Sequence, residues 1–243
     1  MRLSFYSLGD ISDMANEQFF YSTDITENEI ILNGGEHYHL SKVLRKHPGD
    51  EIWVTNGKGI TFQTKIASVN SDKTTLTILN ILPKFGEPAN RVTLAAGVIK
   101  PSHWEILIEK AVELGVYNIV PIISRFTVKP NIKMDRCRKI ILSAVKQCGR
   151  SRLPHLAAPI QFEEYLRRDF KELTYICDNQ DNYPLLSNCE EHQNHVVMVG
   201  PEGGFSEDEV TLALKNKFQA VSLGPRRLRA ETAAIVAVSK LIF

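Results

Sequence analysis

The sequence predicts an α/β protein, a mostly parallel sheet covered on both faces by helices and preceded by a small β-rich domain. Three observations lead there. From about residue 92 onward strand patterns alternate with helical ones, which implies parallel strands joined by helical crossovers. Before that point short β-branched strand patterns dominate, with one helical exception. Near the C-terminus two glycine-bearing turns, Gly200-Pro-Glu-Gly-Gly-Phe-Ser206 and Leu223-Gly-Pro-Arg-Arg-Leu-Arg-Ala-Glu-Thr232, each follow an apolar run and precede a helical pattern. In open α/β sheets that position, the carboxyl end of a strand, is where ligands bind.

In chain order, Gln18–Ser22 and Glu29–Leu32 read as short strands, and Asp50–Thr55 as a third, followed by Asn56-Gly57, a hairpin signal. Thr61–Val69 and Thr74–Leu82 alternate and pair across the turn at Asn70–Lys73. The helical exception is His37–Lys46, where Leu40, Val43 and Leu44 share one face. These patterns describe a small barrel-like or sandwich module. His37 and His39 have no neighbours to complete a metal-ligand set, so packing or surface roles are expected of them.

Pro83-Lys-Phe-Gly-Glu-Pro-Ala-Asn90 holds two prolines and a glycine between strand patterns. It places a linker at 84–91 between a first domain at 17–83 and a second at 92–243. The first thirteen residues resemble nothing that follows and Met14 could serve as a second start, so residues 1–16 read as a leader or disordered tail. In the second domain Val92–Ile99 is a strand, and Trp104, Leu107, Ile108, Ala111 and Leu114 recur at helical spacing until Gly115 ends the helix. Asn118–Ile123 and Leu173–Cys177 are further strands, with a helix at Met134–Cys148 between them.

Composition excludes several classes. The 243 residues are 43% hydrophobic and 23% charged, ordinary for a folded domain pair. No apolar run reaches the ~18–20 residues of a membrane span, and no signal-peptide pattern opens the chain, so a cytoplasmic location is expected. Cys137, Cys148, Cys177 and Cys189 lack CxxC spacing, which argues against a zinc ribbon or a thioredoxin-type redox pair.

The net charge of +1 hides a segregation. Between Arg125 and His155 nine Lys/Arg face one acid, and between Glu172 and Val210 nine acids face no Lys or Arg. A local basic face of this kind suits a polyanion whatever the total charge. On the Met134–Cys148 helix, Arg136, Lys139, Ser143, Lys146 and Arg150 recur opposite the apolar side, a track for an RNA backbone.

The first glycine turn has three glycines in five positions, as needed where backbone must approach a ligand or take positive φ. Ser206 with Glu209 three residues on is a capping box. No Lys-Ser/Thr follows, so this is not a Walker loop. Glu202 and the acidic first turn would repel a diphosphate and favour a cationic or zwitterionic ligand. The second turn sets Arg226, Arg227 and Arg229 beside Gly224, ahead of an Ala233–Val238 run that is apolar on every face. Such a helix must be buried, against the sheet and a partner subunit.

Together with Lys110-Ala-Val-Glu-Leu-Gly-Val116 and Gln147-Cys-Gly-Arg-Ser-Arg-Leu-Pro154, the two turns resemble the bacterial small-subunit ribosomal RNA uridine methyltransferases of the SPOUT superfamily. His39-Leu-Ser-Lys-Val-Leu-Arg45 and Pro48-Gly-Asp50 resemble that family's PUA-like RNA-binding domain. A departure is Lys146, where many members carry an acid. The resemblance implies a C-terminal trefoil knot, a homodimer, S-adenosylmethionine as cofactor, no metal, and methylation of the N3 imide nitrogen of a uridine in 16S rRNA. It implies a cofactor pocket of Asp178, Gly200, Glu202, Gly203, Gly204, Leu223, Gly224 and Leu228. For catalysis the expected residues are Arg229 and then Arg227 at the developing anion, with Glu231 and Glu202 as proton acceptors or structural carboxylates. Lys42, Arg45, Arg136, Lys139, Arg150 and Arg152 are the expected RNA contacts. The other readings are a non-catalytic RNA-binding or ribosome-assembly factor of the same fold and a nucleotide-dependent α/β enzyme acting on a small metabolite.

Overall fold

The computed structural model describes residues 18–128, 131–179, 183–186 and 193–243. The expected leader and Cys189 lie outside them. The chain divides into two compact units, one running to Glu87 and including Val145–Leu153, the other formed by Pro88–Ala144 and Pro154–Phe243.

In the first unit β1 (Phe19–Tyr21), β2 (Glu29–Asn33), β3 (Glu51–Thr55), β4 (Ile60–Val69) and β5 (Lys73–Pro83) form one sheet in the order β1-β3-β4-β5-β2. Only β1–β3 is parallel. Register shifts between Gln63 and Thr64 and between Ile66 and Ser68 bend the long β4–β5 ribbon. The Ser22 hydroxyl donates to Ile31 O at 2.7 Å, drawing the sheet's two ends together around a core of Phe20, Ile30, Leu32, Leu40, Ile52, Val54, Phe62, Ile66 and Leu76. The β3–β4 turn is longer than a two-residue hairpin. Thr55 faces Thr61, and the Asn56 side chain accepts from the amides of Lys58 and Ile60.

Helix α1 (Gly34–Tyr38) runs into a π-type turn at His39–Val43. The wider i→i+5 turn rotates the following positions. Leu40 is buried as expected, but Val43 is 55% exposed and leaves the expected apolar face. Buried His37 meets the Thr74 hydroxyl through Nδ1 at 2.9 Å, and His39 lies against the Phe20 ring. His37 is thus part of the packed interior, and His39 sits at the surface.

Val145–Leu153 belongs to this unit through a dense set of bonds. Thr55 Oγ1 donates to Ser151 O, Leu153 N to Gly57 O, and Ser151 N to Phe85 O. A Cβ on Gly149 would lie 3.0 Å from the Phe19 ring, which stacks in turn with Trp53 and Phe85.

The second unit contains β6 (Arg91–Gly97), α2 (Pro101–Glu113), β7 (Asn118–Ile123), α3 (Met134–Cys148) as far as Ala144, β8 (His155–Leu156), β9 (Ile160–Gln161) and α4 (Phe162–Leu166). It continues with β10 (Leu173–Cys177), β11 (Asn194–Val199), α5 (Glu207–Lys215), β12 (Gln219–Val221) and α6 (Ala230–Ile242). Every strand pair is parallel, in the order β12-β10-β11-β6-β7-β8, with β9 also on β7. Alternation along β11 buries both faces. Val196 and Met198 join Phe162, Tyr165, Phe205, Val210 and Phe218 on one side, while Val197 and Val199 are buried as well. Helix α6 packs on β6, β11 and α2. It buries Ala234, Ala237, Val238 and Leu241 and leaves Ala233, Ile235 and Val236 half-buried, so the chain itself covers only part of its apolar surface. No helix among the described residues is long and apolar enough to cross a membrane.

Candidate functional site

The carboxyl ends of β10, β11 and β12 feed three loops that border an open cavity of about 730 Å³. Close backbone approach shapes it. A Cβ on Gly97, at the end of β6, would sit 2.5 Å from Pro201, and one on Gly200 would sit 2.7 Å from Gly204 C. Only glycine fits either position without moving the loop. Gly204 has φ +72°, the left-handed turn that sends the chain into α5, and the Ser206–Glu209 capping box is formed in both directions.

The residues expected to form a cofactor pocket meet here. Asp178, Gly200, Glu202, Gly203, Gly204, Leu223 and Leu228 all line the cavity. Gly224 does not. Its φ of +129° and its amide bond to Ser222 Oγ turn the chain behind the wall. Arg227, Arg229 and Glu231 line the same space, with both guanidinium-bearing residues exposed and without an ion-pair partner among the described residues.

The two carboxylates expected to act as proton acceptors are differently engaged. Glu202 is exposed, and its Oε1 accepts the amide of Lys100, the N-cap of α2, at 3.2 Å. It ties the glycine loop to the start of a helix, where a negative charge opposes the dipole. Glu231 is buried, and its Oε1 lies 2.9 Å from Nδ1 of His103. His103 and Lys100 also line the cavity and were absent from the sequence expectation. Their signal was positional. Lys100-Pro-Ser-His103 is a third strand-to-helix junction, of the same kind as the two glycine turns but without glycines to mark it.

Burial pushes the Cys177 thiol, which also lines the cavity, up to about 12, so it carries no nucleophilic thiolate at neutral pH. Among the described residues no group of three or more His, Cys, Asp and Glu is arranged to hold a metal ion.

The expected RNA contacts separate into groups. Lys42 and Arg45 are exposed, as is Lys139. Arg136 is exposed but forms a two-bond pair with Glu105, and holds that carboxyl below its usual range. Arg150 is a correction. Its side chain is only 2% exposed, and Nη2 donates to Glu87 Oε2 at 2.8 Å, so no phosphate can reach it. Lys146 is likewise held, at 2.6 Å from Glu36 Oε1. The expected stripe is thus broken at Lys146 and Arg150, because the acids that neutralise them come from 110 and 63 positions away. Arg152 is intermediate. Its amide donates to Glu87 and its guanidinium to Lys58 O at 3.3 Å.

Comparison with known proteins agrees with this architecture. Residues 86–242 match the RNA methyltransferase domain family, and residues 32–79 match the RNA methyltransferase PUA domain. Ribosomal RNA small subunit methyltransferase E of Mesomycoplasma hyopneumoniae is 34% identical over 92% of this chain and 98% of its own. The enzyme of the same name from Synechocystis is 32% identical over 89% of this chain and 74% of its own. A crystal structure of ribosomal RNA small subunit methyltransferase E from Neisseria gonorrhoeae, bound to S-adenosyl methionine, superposes with a TM-score of 0.84 at 29% identity, covering 92% of this chain and 95% of that one. A probable rRNA-methyltransferase from Porphyromonas gingivalis gives 0.81 at 30% identity, covering 91% and 95%. With its catalytic-type domain, its PUA domain and most of its length matched, the chain belongs to the ribosomal RNA small subunit methyltransferase E family.

Proposed function

We propose that this protein methylates the N3 imide nitrogen of one uridine in 16S rRNA of the small ribosomal subunit, using S-adenosylmethionine. The observation that carries the reading is the meeting of Glu202, Asp178, Arg227 and Arg229 around one cavity at the strand ends, with glycines where a side chain would close it. A volume of about 730 Å³ falls in the range that small-molecule sites occupy. Exposed carboxylate and backbone in the β11–α5 loop suit a ligand that carries positive charge, as the sulfonium cofactor does. The crystallised relative from Neisseria gonorrhoeae, described as bound to S-adenosyl methionine, supports the same cofactor here.

When bound, the cofactor supplies an electrophilic methyl group. The chain's own residues do the rest. Asp178, Gly200, Gly203, Gly204, Leu223 and Leu228 would hold and orient it, and fixing donor and acceptor in line removes much of the entropic barrier. Arg229, with Arg227 second, would face a uracil carbonyl as negative charge spreads onto it after N3 loses its proton. Glu202 maintains the loop through Lys100. Lys42, Arg45 and Lys139 would meet RNA phosphates, in a single-stranded or distorted region where N3 is not hidden in a base pair.

The same reading includes a homodimer, for which the half-buried Ala233, Ile235 and Val236 on α6 supply apolar surface, a trefoil knot in the second unit, and a cytoplasmic location with the ribosome. The test is transfer of labelled methyl groups to small subunits from cells lacking this gene, with mapping of the product. A single N3-methyluridine in 16S rRNA is expected. No transfer, despite cofactor binding, would favour the non-catalytic assembly factor.

A further inference from the structure

Resting on the methyl-transfer reading above, we infer that His103 is the proton acceptor of this site and that Glu231 is its positioning residue. The argument begins with the hydrogen bond between them. Glu231 Oε1 lies 2.9 Å from His103 Nδ1, and an ionised carboxylate only accepts, so the proton sits on Nδ1. The neutral ring then carries its lone pair on Nε2, which has no hydrogen-bond partner among the described residues. Buried Glu231 is pinned at the start of α6, while the His103 side chain is 33% exposed and lines the cavity. A fixed carboxylate orienting a partly exposed imidazole is the arrangement that general bases use.

The neighbours complete the case. Arg229 is the residue before α6 and Glu231 the second residue in it, so a cation and the imidazole's anchor enter the cavity from one turn of chain. The Watson–Crick edge of uracil presents a donor, N3–H, between two carbonyl acceptors. An arginine beside an imidazole lone pair matches that edge in kind, donor to carbonyl and acceptor to N3–H. Glu231 itself, with Oε1 engaged by Nδ1 and little exposed surface, is poorly placed to meet the base directly. In the step, the N3–H bond breaks with its proton passing to Nε2. The nitrogen pair forms the bond to the methyl carbon, the carbon–sulfur pair returns to sulfur, and the imidazolium later releases its proton to water. The other charged or titratable groups lining the cavity are Arg227 and Arg229 beside α6, Lys100 and Glu202 at the head of α2, and Asp178 and Cys177 at the end of β10.

The experiment compares wild type, H103Q, H103A and E231Q in single-turnover methyl transfer to small subunits across pH, with cofactor affinity measured by calorimetry for each. Wild type should rise with pH to a plateau, as a reaction that needs an unprotonated base does. H103Q should fall by ~10²–10⁴ and keep rising with pH where wild type is flat, and free imidazole should restore part of the rate of H103A. Independently of turnover, the ring 15N chemical shifts of His103 should show less of the Nδ1–H tautomer in E231Q, because the carboxylate that accepts from Nδ1 is gone. H103Q turning over within about threefold of wild type with an unchanged pH profile would overturn the inference while leaving the methyl-transfer reading intact. An unchanged His103 tautomer in E231Q would overturn the positioning role. Wild type that neither binds the cofactor nor methylates RNA would remove the reading on which both rest.

Discussion

Two arginine-bearing glycine turns in this chain look alike in sequence and differ in what they do. Gly224-Pro-Arg-Arg-Leu-Arg229 leads Arg227 and Arg229 into an open cavity with no ion-pair partner among the described residues. Gly149-Arg-Ser-Arg152 folds back on the β-rich unit, where Glu87 takes Arg150 at 2.8 Å and receives the amide of Arg152 as well. The first turn keeps its charge available for a ligand. The second uses its charge to hold a loop in place. Sequence identifies the residue type in both turns, and the partner that decides its use is 63 positions away in one of them.

The largest effect that would break this contrast is on stability. Removing one member of a buried ion pair leaves the other uncompensated, at ~3–5 kcal/mol. R150A should therefore lower the urea midpoint strongly, as should E87Q, and the double variant should cost less than the two single losses added together. Near-wild-type stability for R150A would mean that Arg150 is not committed to Glu87.

Salt dependence sharpens the same distinction. Each phosphate contact contributes ~0.7–0.9 to the slope of log affinity against log salt. K42A and K139A should each reduce the slope by about that amount in RNA binding. R150K, which keeps the charge inside, should leave it unchanged. Equal slopes for K42A and wild type would remove Lys42 from the interface.

A smaller effect tests what a buried polar group does without any carboxylate. His195, in β11, has neither ring nitrogen hydrogen-bonded among the described residues and stacks on Tyr175. Burial holds its imidazole below the ordinary value of 6.5. The unfolded chain then binds the proton more readily, so protonation of His195 has no effect on stability above about pH 6.5 and removes stability as pH falls through that value toward the lower folded one. H195F should flatten this part of the stability–pH curve measured by denaturant melts. Parallel curves for the two proteins would exclude His195 as the cause.

Much of this was legible in sequence for physical reasons. Asn118–Ile123, Met134–Cys148 and Leu173–Cys177 have the expected bounds because their apolar periods are clean and uninterrupted. Ser206 and Glu209 announced a helix start that the capping box forms. Short elements were not legible. His155–Leu156 and Ile160–Gln161 are two-residue strands and Phe162–Leu166 is a single turn or so, too brief for any period to register. Val43 left its expected face because a π-type turn breaks the 3.6-residue repeat. Within the site the glycine turns were visible because backbone conformation demands glycine. His103 was not, since its meaning comes from Glu231, 128 residues later.

The central claim is that Arg227 and Arg229 of the Gly224 turn serve chemistry while the arginines of the Gly149 turn serve structure. Single-turnover methyl transfer by R229A at saturating S-adenosylmethionine tests it most directly. Loss of a donor at a developing anion predicts a rate lower by ~10²–10³, with cofactor affinity and melting temperature near those of wild type. A rate within about threefold of wild type, with cofactor bound normally, would contradict it.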